Sequence, residues 1–309
     1  MGPLAHPRVA LVIRRALLIV NPASRRGTRE LSAVQAAMAA QGVACDVRLT
    51  TGPGSASALA RAEAAGCDAV FTLGGDGTIM EVLGVLAGTR LPLGPLPGGT
   101  GNLLVRALGI PLNAARAATA LCGGQVREID LAALGAGGHF AVAAGIGIDV
   151  SMVERTRTRW KRRLGTVAYI LVGCGAAAGA ALRGDRFRAR ITVDGVSHEV
   201  EALSLLVANV GTVLSGRITL APGGRPDDGQ LDVVVYTPRT VGQALRVAAR
   251  MLRGRFPDDG LIHFYRGRHV HVTTQPARRA QADGELLAPG DLDATILPRA
   301  AAVLVPGAS

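Results

Sequence analysis

Three glycine-bearing clusters near the N-terminus have the residue types and spacing for phosphate chemistry. They are Asn21-Pro-Ala-Ser-Arg-Arg-Gly27, Gly74-Gly-Asp-Gly-Thr78 and Pro97-Gly-Gly-Thr-Gly-Asn102. Glycine removes the Cβ and admits positive φ, so backbone N–H groups can close on a bulky anion. The middle cluster follows the apolar run Ala69 to Leu73 and precedes the apolar-periodic stretch Ile79 to Leu86. A strand, a glycine turn and a helix in that order aim amides and a helix N-terminus at an anion, and phosphate is the expected one. The plainer reading is a tight βα turn with Thr78 as N-cap. Three acidic turns follow: Gly145-Ile-Gly-Ile-Asp149, Asp227-Asp-Gly-Gln-Leu-Asp232 after Ala221-Pro-Gly-Gly, and Gln281-Ala-Asp-Gly-Glu285. Asp and Gly make turns with no function attached. Three such turns in a basic chain nevertheless point to Mg²⁺ and proton handling, because hard oxygen ligands suit Mg²⁺.

The elements that must position these clusters alternate in type. Arg15 to Val20 reads as a first buried strand, followed by a helix over about Glu30 to Ala40. Cys45 to Leu49 is a second strand, and Thr51-Gly-Pro-Gly54 leads into a helix over about Ser55 to Ala65. Leu91 to Leu96 ends in the third glycine cluster, before a helix over Leu103 to Leu108. This alternation predicts a parallel α/β sheet whose four loops converge on the carboxyl edge of the strands, where such sheets bind ligands. From about Arg127 short alternating runs take over, among them Arg188 to Val193 with an Asp194-Gly195 turn, Leu231 to Tyr236 and His269 to Thr273. One helical block is expected near Lys161 to Leu182. Hairpin-spaced strands predict an antiparallel second domain. The absence of a Ser/Pro linker predicts a shared interface with a cleft.

Composition narrows the partners. With 309 residues the chain suffices for two domains, and a hydrophobic content of 49% excludes a disordered chain. Aromatics at 3% make the core aliphatic. A formal charge of +11 favours anionic partners: nucleic acid, nucleotide phosphates or an anionic membrane. Nucleic acid is the weakest of these, since no helix-turn-helix, zinc-finger or RNA-binding aromatic pattern occurs. Cys45, Cys67, Cys122 and Cys174 lie far apart, as unpaired thiols in a reducing compartment would. Met1 to Ala16 lacks the apolar core and cleavage site of a signal peptide. Leu164 to Leu182 holds no charge but is dominated by alanine and glycine, and reads as a packed or membrane-facing helix rather than a span. Trp160 among Arg157, Arg159 and Lys161 to Arg163 reads as a solvated face able to touch lipid head groups. His269 and His271 share one face of a strand and read as surface or core histidines, with no third metal ligand in sequence.

Taken in order, these motifs resemble the diacylglycerol kinase catalytic family, which includes bacterial lipid kinases and the sphingosine kinases. The matching residues are NPASRRG, Thr50 with Gly54, Gly74 to Glu81, PGGTGN followed by Leu108-Gly-Ile-Pro111, Gly145 to Asp149, Lys161 to Tyr169, Ala221 to Asp232 and Gln281 to Glu285. GGDGT alone would not be specific, because NAD kinases and phosphofructokinases carry similar loops. The resemblance implies an N-terminal parallel α/β nucleotide-binding domain, residues 1–126 with a returning segment 296–309. A C-terminal antiparallel β-rich lipid-substrate domain would span 127–295, with the active site in the cleft between the two. It implies ATP-dependent phosphorylation of a lipid hydroxyl, diacylglycerol-like or sphingoid. Asn21, Pro22, Ala23, Ser24, Arg25, Thr50, Gly75, Asp76, Gly77, Thr78, Ile79, Met80, Glu81 and Thr100 correspond to the family's ATP contacts. Arg225 and Gln230 through backbone carbonyls, and Asp228 through its carboxylate, correspond to a structural Mg²⁺ site. Glu285 is similar to the general base of the bacterial enzymes, whereas in sphingosine kinases that role falls to the glycine-loop Asp, here Asp76. Met80 stands where the family often has Asn, and Arg25 where it usually has Gly. A lipid substrate, peripheral contact with an anionic membrane and, as one option, a homodimer are the expected partners. The expected location is the cytoplasm, at the inner membrane face. The rival readings are an NAD kinase-like enzyme with a soluble acceptor, and a catalytically idle nucleotide- or lipid-binding regulator.

Overall fold

The computed structural model describes residues 11–147, 186–213 and 218–307. The expectations placed on Asp149, on Arg157 to Arg163 with Trp160, on Lys161 to Tyr169 and on Leu164 to Leu182 fall outside these residues. Two compact units divide the chain: Met1–Ile129 with Arg299–Ser309, and Asp130–Pro298.

The first unit alternates β1 (Arg15–Val20), α1 (Leu31–Ala40), β2 (Ala44–Leu49), α2 (Ser55–Glu63), β3 (Ala69–Gly74), α3 (Asp76–Leu86), β4 (Leu93–Pro97), α4 (Leu103–Ala107) and α5 (Ala114–Cys122). Strands β3 and β4 are buried at every position, and β1 at every position after Arg15, as strands covered on both faces must be. Pairing is parallel throughout, in the order β2-β1-β3-β4. The chain first steps from β1 to β2 and then returns past β1 to β3 and β4. Right-handed crossovers therefore put α1 on one face and α2 with α3 on the other. The reversal between β1 and β3 is a topological switch point, the place where an open α/β sheet accepts a ligand.

Helix α3 begins at Asp76 rather than Ile79, so most of GGDGT is its first turn and not a free loop. None of Gly74, Gly75 and Gly77 takes a positive φ; Gly75, the N-cap, is extended at φ −88°. These glycines serve close approach instead. A Cβ on Gly98 would lie within 2.9 Å of the Gly74 backbone, and one on Gly99 would lie 2.6 Å from Gly75 Cα.

The second unit is antiparallel. Strands β5 (Gln125–Leu134), β6 (His139–Phe140), β7 (Ala143–Gly147), β8 (Phe187–Val193), β9 (Val196–Ala202), β10 (Ser204–Ala208), β11 (Thr212–Val213), β12 (Ile218–Thr219) and β13 (Leu231–Tyr236) precede α6 (Val241–Arg253). Then come β14 (Ile262–Gly267), β15 (His269–Gln275), β16 (Ala280–Ala282), β17 (Glu285–Leu286) and β18 (Leu292–Val305), with β5 and β18 running through the division in sequence. One sheet has the order β14-β13-β10-β7-β16-β17. In the other, β15 pairs with β8 on one side and with Leu292–Thr295 of β18 on the other, and β8 pairs with β9. Their inward-facing residues, among them Phe140, Phe187, Val233 and Val270, share one apolar core. Asp194 at φ 47° and Gly195 at φ 87° form the anticipated two-residue β8–β9 turn.

Helices α5 and α6 are additions to the sequence reading. The signal for α6 was available: Thr240 and Gln243 form a capping box, and Gly254 terminates the helix in the left-handed region.

Sheet packing in the first unit depends on one glycine inside a strand. Phe71 on β3 lies opposite Gly94 on β4, and a Cβ at Gly94 would sit 2.5 Å from the Phe71 ring. Gly94→Ala should overpack this buried site and cost about 1–3 kcal/mol. Chemical denaturation should show a lower midpoint with an unchanged slope, while Gly42→Ala, at an open left-handed turn, should act through backbone strain instead.

Candidate functional site

At the switch point the loop after β1 is fastened to the start of α3. Asn21 N–H donates to the Leu73 carbonyl at 2.9 Å, and its Nδ2 donates to Thr78 Oγ1 at 3.0 Å. Asn21 Oδ1 accepts from Ala23 N–H at 2.9 Å, which curls NPASRRG back on itself. Ser24 Oγ donates to the Asn21 carbonyl and accepts from Gly27 N–H, at 2.7 and 3.1 Å. The third cluster joins through the main chain: Arg26 N–H donates to the Gly98 carbonyl at 3.0 Å, and Gly98 N–H to the Gly74 carbonyl at 2.8 Å. Asn102, buried in the left-handed region, closes PGGTGN with two hydrogen bonds to the Gly99 backbone. The NPASRRG, GGDGT and PGGTGN loops therefore form one hydrogen-bonded floor at the carboxyl ends of β1, β3 and β4.

Asp76 is the charged centre of this floor. Its Oδ1 accepts from Leu103 N–H at 2.5 Å, so the carboxylate tethers α3 to the start of α4. The residue retains some exposed surface, but burial of the carboxyl pushes its pKa up to about 6 against the pull of backbone amides. No side chain caps α3, whose first-turn amides face the loops. Glu81 has a different task. Its carboxylate accepts from Gly54, Ala56 and Ser57 N–H at 3.0–3.4 Å, serving as a remote cap for α2. Ile79 is fully buried and Thr50 nearly so, with Thr50 N–H on the Val20 carbonyl. Pro22, Ala23, Arg25 and Thr100 are exposed on the loops, and Gly75, Gly77 and Met80 are half-buried.

The second unit sorts its acidic turns by burial. Asp228 Oδ1 accepts from Gln230 N–H at 3.1 Å and Oδ2 from Arg225 N–H at 3.2 Å, wrapping the turn about one carboxylate. Burial raises the Asp228 pKa, ahead of the opposing pull of those amides. Asp228 and the Arg225 and Gln230 backbones, the residues expected to hold Mg²⁺, lie in this one turn, and oxygens of that kind suit the ion. Among the described residues no group of three His, Cys, Asp or Glu side chains is placed to hold a metal. In the other turn Asp283, 5% exposed, accepts from the consecutive amides of Ala141, Val142 and Ala143. Asp283 and Gly284 both have positive φ and form a tight hairpin that presents Glu285 at the surface.

Two buried residues join these turns and were not singled out from sequence. Asp130 Oδ2 accepts from Gly229 N–H at 2.6 Å, and its carbonyl accepts from Asn209 Nδ2 at 2.9 Å. Asn209 Nδ2 donates equally to the Ala141 carbonyl, on the segment Asp283 holds. No short motif could mark them, because the partners just named lie 68 to 99 residues away. His269 and His271 do share a face of β15, where both meet Asp293 of β18 at 3.1–3.2 Å. Burial pushes Cys45 and Cys122 up to about 11, so neither thiol is a nucleophile near neutral pH.

Comparison with known proteins places this geometry. Residues 15–134 match the diacylglycerol kinase catalytic domain, and residues 141–305 match the YegS C-terminal NAD kinase beta sandwich-like domain. A Mycobacterium tuberculosis diacylglycerol kinase is 32% identical over 256 residues, covering 80% of each chain. The chain belongs to the diacylglycerol kinase family. A Bacillus subtilis diacylglycerol kinase is 31% identical over 279 residues, covering 88% of this chain and 90% of its own. A longer Synechocystis protein is 31% identical across 77% of this chain, which spans about half of it (54%). A diacylglycerol kinase crystal structure from Bacillus anthracis superposes with a TM-score of 0.74 at 27% identity, covering 95% of this chain and 97% of that one. Among the described residues of this family member, no helix is long and apolar enough to cross a membrane.

The raised pKa of Asp76 has a thermodynamic consequence. A carboxyl at about 6 when folded and 3.8 when fully solvated holds its proton more tightly in the native state. That contribution is present at about pH 4 and lost as the pH rises through about 6. Asp76→Asn keeps the acceptor oxygen and removes the titration. The melting temperature of Asp76→Asn minus that of the parent should therefore rise from about pH 4 to about pH 7. A difference independent of pH would contradict the desolvated carboxylate.

Proposed function

We propose that the chain is an ATP-dependent lipid kinase that transfers the γ-phosphate to the hydroxyl of a diacylglycerol-like or sphingoid lipid. The observation that supports this most strongly is the single floor made by three glycine loops at the switch point, with the uncapped N-terminus of α3 beside it. The amides of Gly75 to Thr78 and the NPASRRG backbone would hold the nucleotide phosphates, with Arg25 adding positive charge at the rim. Asn21 and Asp76 act by fixing the loops, whereas Ile79 and Glu81 contribute through α3 itself, since their side chains are engaged elsewhere.

The loop of Arg225, Asp228 and Gln230 would hold Mg²⁺, which when bound supplies charge neutralisation to its surroundings. During transfer the lipid oxygen forms a bond to phosphorus, the bond to the ADP oxygen breaks, and the hydroxyl proton goes to a carboxylate. We assign that proton to Glu285, the exposed acid at the tip of a hairpin braced by Asp283. Asp76 is poorly suited, because its Oδ1 is occupied by the Leu103 amide. Labelled ATP offered with diacylglycerol, a sphingoid base and NAD tests the reading. Label should enter a lipid, and label entering NAD alone would replace the reading with a soluble-acceptor kinase.

Glu285→Gln separates the two carboxylates. A positioned base contributes about 10²–10⁴-fold, so kcat should fall by that amount while ATP affinity changes little. Retention of most of kcat would move the role to Asp76.

A further inference from the structure

Helix α6 carries a surface that phosphate transfer does not use. Of its thirteen residues only Ala244 and Val247 are buried, so it rests on the second unit along a narrow edge. Leu245 is 53% and Leu252 46% exposed. Seven residues apart, they lie on nearly the same line of the helix, with Ala249 between them. A parallel line roughly 100° away holds Arg246 and Arg253. From Val241 to Phe256 the chain has four arginines and no acidic residue. Arg250 is held by both oxygens of Asp259, whose carboxyl it draws down to about 2. Arg246, Arg253 and Arg255 make no ion pair among the described residues. Just past the helix, Phe256 meets the part-exposed Phe264 edge to face at 5.4 Å.

We propose that α6 is the element through which the second unit docks on an anionic lipid bilayer. Leu245 and Leu252 enter the interface, Arg246, Arg253 and Arg255 meet lipid phosphates, and Phe256 with Phe264 lies at the head-group level. The proposal rests on the lipid-kinase reading for the need to meet a bilayer, and on charge complementarity for the face. A second copy of the chain is a poorer occupant. Two leucines and an alanine fall far short of the roughly 800 Å² each partner buries in a standard interface. A two-fold contact would also set these arginines against each other.

Flotation with phosphatidylcholine vesicles, with and without phosphatidylglycerol, tests the surface without requiring activity. The full chain should float only with the anionic vesicles and release as salt rises. Arg246→Gln/Arg253→Gln should bind roughly thirty-fold more weakly. Leu245→Ser/Leu252→Ser should lose binding by at least about tenfold. Both should melt with the parent, since all four side chains face solvent. Undiminished flotation of either variant overturns the proposal, as does equal binding to neutral vesicles. Loss of self-association in sedimentation, with vesicle binding intact, overturns it in favour of a second copy. Kinase assay on detergent-dispersed lipid keeps the two readings apart: failure to phosphorylate any lipid, with the flotation differences intact, removes the kinase reading and leaves the docking surface.

Discussion

The first unit depends on a backbone contact too close for any side chain. Where β3 turns into α3 and β4 turns toward α4, the two corners approach until Gly98 N–H meets the Gly74 carbonyl at 2.8 Å. Gly99 then lies so near Gly75 that a Cβ would collide with its Cα. Two corners at that distance can share one carboxylate, and Asp76 bridges from α3 to the Leu103 amide. The same closeness lets Arg26 N–H reach Gly98 and Asn21 reach Thr78, so the third loop is tied in by short bonds. Adding a methyl group at Gly98 or Gly99 would separate the elements that fix all three loops.

The second unit solves a different problem, keeping acidic turns in an apolar sandwich. Buried carboxylates are costly unless hydrogen-bonded. Asp283 meets the cost with three consecutive amides, and Asp130 with the Gly229 amide. These engaged acids hold the turns in place. Glu285 stays at the surface, and both Asp228 oxygens accept from amides of their own turn.

Much of this was legible from residue order because its causes are local. Apolar runs such as Arg15 to Val20 and Leu231 to Tyr236 emerge as strands with those ends, and Asp194-Gly195 makes the expected turn. Residue order lets the GGDGT glycines adopt positive φ, but the fold uses them for close approach to a corner some twenty residues on. The motif around Glu81 gives no sign that its carboxylate accepts from the α2 amides, which come from an earlier helix. Asp130 and Asn209 were invisible, since neither belongs to a glycine motif and their partners are remote in sequence. Helix α6 is hidden in the residue order by the alternating strands around it, although its capping box and terminal glycine are readable.

As proposed above, the three separate loops act together as one nucleotide floor. Hydrogen–deuterium exchange of the full chain, measured with and without ATP and Mg²⁺, addresses it most directly. Peptides containing Asn21 to Gly27, Gly74 to Thr78 and Pro97 to Asn102 should gain protection together and at the same ATP concentration. Protection confined to one of them, or appearing only outside all three, would contradict the account.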